Sequence, residues 1–179
     1  MDQDLLLLQR MKRGDDGAIE EFVRKYYPKI LQYCHYHLHN VQDGEDTAQE
    51  TFAHFFASLD RYRHYGKAAN YLYVIAGNLC RDQIRRRDLA LDEVPEPAAA
   101  PLERLDTHLD LERAFRALPN EIQTVAVLFF LQDRKQREIA KILDIGLPLV
   151  KYRIRRAREL LAAALKKEVV LCWHRKPGV

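Results

Sequence analysis

The chain has 179 residues, of which 47% are hydrophobic and 31% charged, and Gly and Pro number only seven each. This composition excludes a disordered chain and favours a helix-rich globular protein of one mid-sized or two small domains. No apolar run reaches the roughly 18–20 residues that span a membrane, and the three cysteines are far apart without a CxxC pair, so we expect a reduced, cytoplasmic setting.

Charge alternates along the chain in four blocks, although the net charge is only +3. Residues 1–60 hold six Lys and Arg against eleven acids, whereas residues 61–87 hold seven against one. Residues 88–108 hold one Arg and six acids, and residues 109–179 hold fifteen cations against eight acids. Two basic blocks separated by an acidic segment indicate two contact surfaces for a polyanion.

Three helices are predicted before residue 88. Asp15 and Asp16 can cap the first of them, and we expect Pro28 to bend or break it. The second should start near Asp43, and the third should run from about Ala68 to Arg87. Each has apolar residues at helical spacing, so the three can share one core.

The stretch "DGEDTAQETFAHFF", residues 43–56, opens the second predicted helix with a cluster of acids. Asp43 and Asp46 can accept hydrogen bonds from the free N–H groups of its first turn. Gln49 and Glu50 continue the polar patch beyond that turn, which capping does not require. Two interpretations stay open from these residues alone: a capped, solvated helix face, or a surface that binds another protein.

Tyrosines and cations alternate in the next stretch. The members of this set are Arg61, Tyr62, Arg63, Tyr65, Lys67, Tyr71, Tyr73 and Arg81. Aromatic rings stack on unpaired bases while cations follow the phosphate backbone, so the pattern favours binding of single-stranded nucleic acid. Burial in a helical core is the competing interpretation, above all for Tyr71 and Tyr73.

Residues 88–108 contain three prolines and little helical periodicity. They are predicted to form an acidic, extended linker. Helical periodicity resumes after it and predicts four further helices, at about residues 109–117, 120–131, 135–143 and 148–167.

The last two of these helices and the turn between them are predicted to form a helix-turn-helix. We expect Gly146 to supply a positive φ in the turn and Pro148 to lie in the first turn of the second helix. The outward face of that helix then carries Lys151, Tyr152, Arg155, Arg156 and Arg158. Such a helix enters the major groove, where cations meet phosphates and Arg pairs with guanine. A solvated basic face is the competing interpretation.

Nothing in the sequence favours catalysis, since it has no Gly-rich phosphate loop and no nucleophile motif. His35 and His39, with Cys34 beside them, are the best metal candidates, but two ligands on one helix do not close a zinc site. We therefore expect a protein that is not an enzyme and that holds no metal or cofactor.

The ordered motifs resemble the bacterial RNA polymerase sigma factors of the extracytoplasmic-function group. "DGEDTAQETF" is similar to that group's D-x-E-D-x-x-Q-E-x-F signature, and "YLYVIAGNLCRD" is similar to its W-L-x-x-I-A-x-N segment. "ALPNEIQTVAVLFFLQDRKQREIAKILDI" and "VKYRIRRAREL" resemble its C-terminal DNA-binding region. The match covers about residues 2–167. With the helical periodicity, it implies an all-α fold of two small helical domains joined by an acidic, Pro-containing linker.

The resemblance also implies a domain plan and a function. Residues 1–87 would form a sigma region 2-like domain, 88–108 the linker and 109–168 a sigma region 4-like helix-turn-helix domain, which leaves 169–179 as a tail of unknown role. The protein would be an initiation factor that binds core RNA polymerase, directs it to −10 and −35 promoter elements and melts the DNA. The polymerase clamp would contact residues 43–56, and the flap would contact the helix-turn-helix domain. An anti-sigma factor is a further implied partner, and no membrane insertion is expected.

Residue roles follow from the same resemblance. Core polymerase would be bound by Asp46, Gln49 and Glu50. The −10 element would be recognised and melted by Tyr62, Arg63, Tyr65, Lys67, Asn70, Asn78, Arg81 and Asp82. The −35 element would be read by Lys151, Tyr152, Arg155 and Arg156.

The chain departs from the group's usual pattern at several places. Ala68 stands where an aromatic residue is usual and Tyr71 where Trp is usual, the turn lacks the usual Thr, and Tyr152 replaces a small residue. These departures leave the promoter sequence open. The alternative function is a self-contained helix-turn-helix regulator that binds duplex DNA without polymerase.

Overall fold

The computed structural model describes residues 3–64, 67–91 and 107–165. Within these ranges the chain forms helices and turns and no strand, which confirms the all-α prediction. Contacts divide the chain into two compact units, Met1–Ala90 and Leu91–Val179. None of the described helices is both long and apolar enough to cross a bilayer.

The first unit is built from four helices. They are α1 (Gln3–Lys12), α2 (Asp16–Leu38), α3 (Val41–Ala57) and α4 (Ala68–Leu91). Helix α1 was not predicted, and α4 extends beyond residue 87 into the segment that was expected to be linker. The remaining linker residues, 92–106, lie outside the described part of the chain.

Aromatic packing between α2 and α3 forms the centre of the first unit. The Phe22 ring stacks on Phe55 with centroids 4.9 Å apart and planes 13° apart, and both residues are fully buried. On the α4 side, Tyr33 meets Tyr73 edge to face at 5.4 Å. Burying rings of this size supplies a large part of the hydrophobic stabilisation of so small a unit.

Helix α2 starts as predicted but does not break. Asp15 is its N-cap, and its Oδ1 accepts a hydrogen bond from the Ala18 N–H at 3.1 Å. The helix continues through Pro28 to Leu38, so the expected break is wrong. Pro28 lies on the exposed side, while Tyr26 and Ile30 on either side of it are buried. Their packing offsets the single hydrogen bond that a proline removes from a helix.

The described residues of the second unit, 107–165, form four helices and one wider turn. They are α5 (Thr107–Arg116), α6 (Asn120–Ala126), α7 (Gln136–Leu143) and α8 (Leu147–Ala164). After α6 the chain continues as a π-helical turn, Val127–Leu131, closed by the Gln132 N–H on the Val127 carbonyl at 3.1 Å. A regular α-helix over 120–131 was expected, and the wider turn corrects this. It brings Phe129 and Phe130 beneath one guanidinium of α8, that of Arg158.

The turn between α7 and α8 also differs from the prediction in one detail. Asp144, not Gly146, has the positive φ, at 52°, and its N–H donates to the Ala140 carbonyl as the C-cap of α7. Gly146 is extended, with φ −64°, and is the N-cap residue of α8. Pro148 does lie in the first turn of α8, where its missing N–H costs nothing.

A buried histidine makes the first unit sensitive to pH. His37 is 9% exposed; its Nδ1 donates to the Tyr33 carbonyl at 2.7 Å and its ring lies 4.1 Å from the Tyr33 ring. Burial lowers the pKa of His37 from 6.5 to about 4. The neutral ring is therefore the form that the folded state favours.

We predict that the free energy of unfolding falls as pH is lowered from 6.5 to 4. In this window the unfolded chain binds a proton at His37 that the folded chain does not, so up to about 3 kcal/mol of stability is lost. Above pH 6.5 the ring is neutral in both states and the full stability is present. Chemical denaturation at several pH values measures this slope. His37→Phe should remove that part of the slope, and an unchanged slope in the variant would contradict the assignment.

Candidate protein and nucleic-acid interfaces

One face of α3 carries the acidic motif, and the opposite face is apolar. The buried residues of α3 are Gly44, Thr47, Ala48, Thr51, Phe52 and Phe55. Asp46, Gln49 and Glu50 lie on the exposed side. Because the buried residues recur at helical spacing, they fix the rotation of α3 and with it the outward direction of these three polar residues.

Asn40 caps α3, which corrects the expectation that Asp43 and Asp46 serve its first turn. The Asn40 Oδ1 accepts from the N–H groups of Gln42 at 2.9 Å and Asp43 at 3.3 Å. The Asp46 carboxylate instead accepts from the Gln42 amide at 3.1 Å, and Glu50 pairs with His54 at 3.6 Å. Asn40 precedes the acidic run and already satisfies the helix start, so the acids are left on the surface.

Gly44, inside the acidic motif, permits the close approach of α2 and α3. A Cβ at this position would lie 2.1 Å from Cδ2 of the His35 ring. No side chain fits at that distance, which explains a glycine in the first turns of an otherwise regular helix.

Gly44→Ala should lower the free energy of unfolding by about 1–3 kcal/mol, because His35 and the two helices must shift to admit the methyl group. Gly17→Ala is the comparison variant and should cost less, since a Cβ there would meet one atom, Oδ1 of the Asp15 cap, at 3.2 Å, and that side chain is partly exposed and can shift slightly. Thermal unfolding measures both variants. If Gly44→Ala were as stable as the parent chain, α2 and α3 would admit a methyl group at this contact without cost, which would contradict the prediction.

An aromatic cluster joins the segment between α3 and α4 to the core at Tyr62. The Tyr62 ring stacks on Tyr71 at 5.0 Å and packs against Phe55 at 5.5 Å. Arg63 and Lys67 are exposed. Tyr65, also among the predicted −10 residues, lies outside the described part of the chain. The structure therefore ties Tyr62 to the core and leaves cations on the surface beside it.

The two tyrosines of α4 differ in their burial. Tyr73 is 1% exposed and belongs to the core, so the packing interpretation is correct for it. Tyr71 is half-buried within the aromatic cluster. Asn70 is also half-buried, and its Oδ1 is enclosed without a hydrogen-bond partner among the described residues.

Further along α4, the predicted polar residues take part in two separate side-chain pairs. Arg81 donates to Asn78 Oδ1 at 2.5 Å and to the Gly77 carbonyl at 3.1 Å. Asp82 pairs with Arg85 at 3.2 Å. With Arg86 and Arg87 also exposed, this end of α4 presents a basic surface.

Helix α8 separates its apolar and cationic residues cleanly. Val150, Ile154, Ala157 and Leu161 are buried. The predicted −35 residues Lys151, Tyr152, Arg155 and Arg156 are all exposed. The Arg155 guanidinium lies 5.8 Å from the centroid of the Tyr152 ring, and Arg156 pairs with Glu159 at 2.9 Å.

Two other cations of α8 contact residues elsewhere in the second unit. Arg153, only 15% exposed, pairs with Glu121 on α6. Arg158 lies over Phe129 and Phe130, at 5.7 and 5.8 Å from their ring centroids. Arg153 was not among the residues expected on the outward face, in keeping with its contact with α6. Arg158 was expected outward and is exposed, although its guanidinium also covers the two rings.

Cys34 and the neighbouring His39 have structural roles in the first unit. Cys34 is fully buried, and its hydrogen bond with Cys80, together with burial, raises the pKa of its thiol. His39 is the left-handed C-cap of α2. Among the residues that the structure describes, no three His, Cys, Asp or Glu side chains are grouped so that they could hold a metal ion.

Two family models match the chain in the order of its two units. The sigma-70 region 2 model matches residues 22–89, and the sigma-70 region 4 model matches residues 108–161.

Two relatives match over most of their length. The chain is 33% identical to the ECF RNA polymerase sigma factor SigW of Bacillus subtilis, over 89% of this chain and 95% of the relative. It is 28% identical to the RNA polymerase sigma-H factor of Pseudomonas aeruginosa, over 92% and 95% respectively.

Solved structures with a similar fold include the sigma factor RpoE of Bartonella quintana in complex with the anti-sigma factor NepR. That chain has a TM-score of 0.72 and 20% identity, with 84% of this chain and 98% of that chain covered. The structure of CnrH in complex with the cytosolic domain of CnrY also has a TM-score of 0.72, with 24% identity and coverage of 93% and 99%.

Proposed function

The chain belongs to the extracytoplasmic-function group of RNA polymerase sigma factors. On this premise we propose which of its surfaces contacts core polymerase and which contacts promoter DNA. As a member it binds core RNA polymerase and initiates transcription at specific promoters. Sigma factors are initiation factors and not enzymes. The observation that carries this function is a relative of the same group that matches nearly end to end.

The acidic face of α3 is the proposed contact with the polymerase clamp. Asp46, Gln49 and Glu50 are exposed on a helix whose start is capped by Asn40, so these side chains are available to a basic partner. Exposed carboxylates of this kind contribute to partner choice and association rate more than to folding stability.

The segment from Tyr62 to Asn70 is the proposed site of −10 recognition. Its cations can follow the DNA backbone, and the aromatic cluster behind them provides a fixed wall for an unstacked base. Asn78, Arg81 and Asp82 would lie along the edge of the opened duplex.

The outward face of α8 is the proposed reader of the −35 element. Lys151, Tyr152, Arg155 and Arg156 lie within its first turns, which a helix-turn-helix presents to base edges. Stacking on Tyr152 limits the freedom of the Arg155 side chain, so less entropy is lost when it pairs with a base. The flap of the polymerase is the proposed partner of the remaining surface of residues 109–168.

We also propose an anti-sigma factor as a partner, because two solved structures of the same fold contain such a complex or a cytosolic partner domain. Working with core polymerase on promoter DNA would place the protein in the cytoplasm. The tail, 169–179, lies outside the described residues and has no proposed role.

Run-off transcription with purified core polymerase over a promoter library tests the function directly. Discrete transcripts that depend on the added chain are expected. A self-contained regulator, which the comparisons do not favour, would bind duplex DNA tightly without polymerase in a gel shift and would yield no such transcripts.

Reversing the charge of the α3 face should weaken the polymerase contact. Asp46→Lys with Glu50→Lys is expected to reduce core binding at least tenfold, since two attractive pairs become repulsive. The unfolding temperature should change little, because both residues are exposed. Asp16→Lys with Glu20→Lys is the matched control, with the same charge change and spacing on an exposed part of α2. Equal binding by all three chains would remove the clamp assignment.

Two substitutions on α8 should have different effects on −35 recognition. Arg155→Ala should relax the preference at one base pair by about 1–3 kcal/mol, whereas Lys151→Ala should weaken all sequences alike and flatten the salt dependence. Initiation from a randomised upstream element measures both effects. Arg116→Ala on α5 removes the same charge away from α8 and should leave promoter choice unchanged. If Arg155→Ala behaves like this control, base reading lies elsewhere.

A further inference from the structure

Asp4 on α1 is a buried carboxylate that joins three helices. It is 5% exposed, and both its oxygens lie 2.6 Å from the Tyr26 hydroxyl of α2, which donates to them. Lys25 donates to Asp4 Oδ1 at 2.6 Å. The N–H of Ala68, the first residue of α4, donates to Asp4 Oδ2 at 3.4 Å. One side chain of α1 therefore contacts both α2 and the start of α4.

The start of α4 needs a carboxylate that its own sequence does not provide. The residues "KAAN" at this helix start include no Ser, Thr or Asp, and the first turn of α4 has no acid. Free N–H groups and the helix dipole favour a negative charge there. Asp4 brings a carboxylate to that position from a helix 64 residues away in the chain.

A second residue of α1 holds the other end of the segment between α3 and α4. The Lys12 ammonium donates to the carbonyl oxygens of Tyr62 at 3.2 Å and Asp60 at 3.4 Å. Both contacts are to the backbone, so they constrain the path of the chain rather than a particular side chain. Asp4 at Ala68 and Lys12 at Asp60 and Tyr62 thus hold the segment from both sides.

We propose that α1 is a brace for promoter opening, with Asp4 and Lys12 as positioning residues that hold the two ends of the −10 segment. This inference rests on the proposed role of residues 62–70 in base capture. The region 2 model begins at residue 22, so that match assigns nothing to α1. When the two ends of a segment are already held, less conformational entropy remains to be lost as the segment takes up a base, and the brace therefore favours the open complex over the closed one.

The test uses holoenzyme made from core polymerase and the full chain, on a promoter that the parent chain opens. Closed-complex affinity and the rate of opening, followed by permanganate reactivity of unpaired thymines, are measured separately. Lys12→Met should slow opening about fivefold while leaving core binding and closed-complex affinity unchanged, because it removes two charge-assisted hydrogen bonds to the segment. Lys12→Arg should restore most of the rate.

Two further variants complete the design. Arg13→Met removes the same charge from the neighbouring exposed residue and should open the promoter at the parent rate. Asp4→Asn keeps the shape of the side chain and should slow opening about tenfold, with a lower unfolding temperature. If that variant does not fold, the exposed Lys12 still tests the brace.

The outcomes separate the brace from the function on which it rests. If the parent chain opens no promoter with core polymerase, the proposed function fails. If the parent opens promoters and Lys12→Met opens them equally fast, only the brace is overturned. A Lys12→Met variant that loses core binding and closed-complex affinity as much as opening also overturns it, because a general structural defect has that signature.

Discussion

The packing of α3 against α2 is the constraint on which the rest of the first unit depends. Phe22 stacks on Phe55 in the core, and Gly44 lets the two helices approach at the His35 ring. Once these contacts fix the rotation of α3, its acids can only face outward. Phe55 also meets Tyr62, so the same packing sets the wall of the segment that follows. The exposed acidic face of α3 and the segment at Tyr62, which are the proposed contacts with polymerase and with DNA, thus share one core and cannot be repacked independently.

In the second unit, both apolar and ionic contacts hold α8 in place. The buried stripe of α8 directs most of its cations outward, but Arg153 turns inward to Glu121 and Arg158 covers two phenylalanines. Glu121 is 76% exposed, so this pair is worth little as a stabilising ion pair. The pair joins α8 to α6, while the buried residues of α8 supply most of its packing. The basic residues of α8 therefore divide into those that contact the rest of the unit and those proposed to face DNA.

The sequence predicts the fold class and most helices because their signals are local. Apolar spacing located α2, α3, α4 and the helix-turn-helix, and Asp15 was recognised as a cap. The local break that was expected at Pro28 does not occur, because Tyr26 and Ile30 on either side of it are buried. The start of α4 near Ala68 was predicted, but its contact with Asp4, which is far away in the chain, was not. Helix α1 was missed because its short run of leucines has no clear helical period, and its role is visible only in its contacts with α2 and α4.

For the same reason, the sequence motifs predicted the residues of the proposed interfaces but not the residues that hold those side chains in place. A motif names the side chains that meet the partner, since those must be of a particular chemistry. The residues that hold such side chains in place need only reach them, so they can come from any neighbouring helix and leave no local pattern. Lys12 reaches backbone carbonyls, a contact that no motif of the contacted segment encodes. Because Lys12 bonds to backbone atoms, it can hold the segment whatever side chains the segment presents, so the proposed brace does not depend on the bases that those side chains would read.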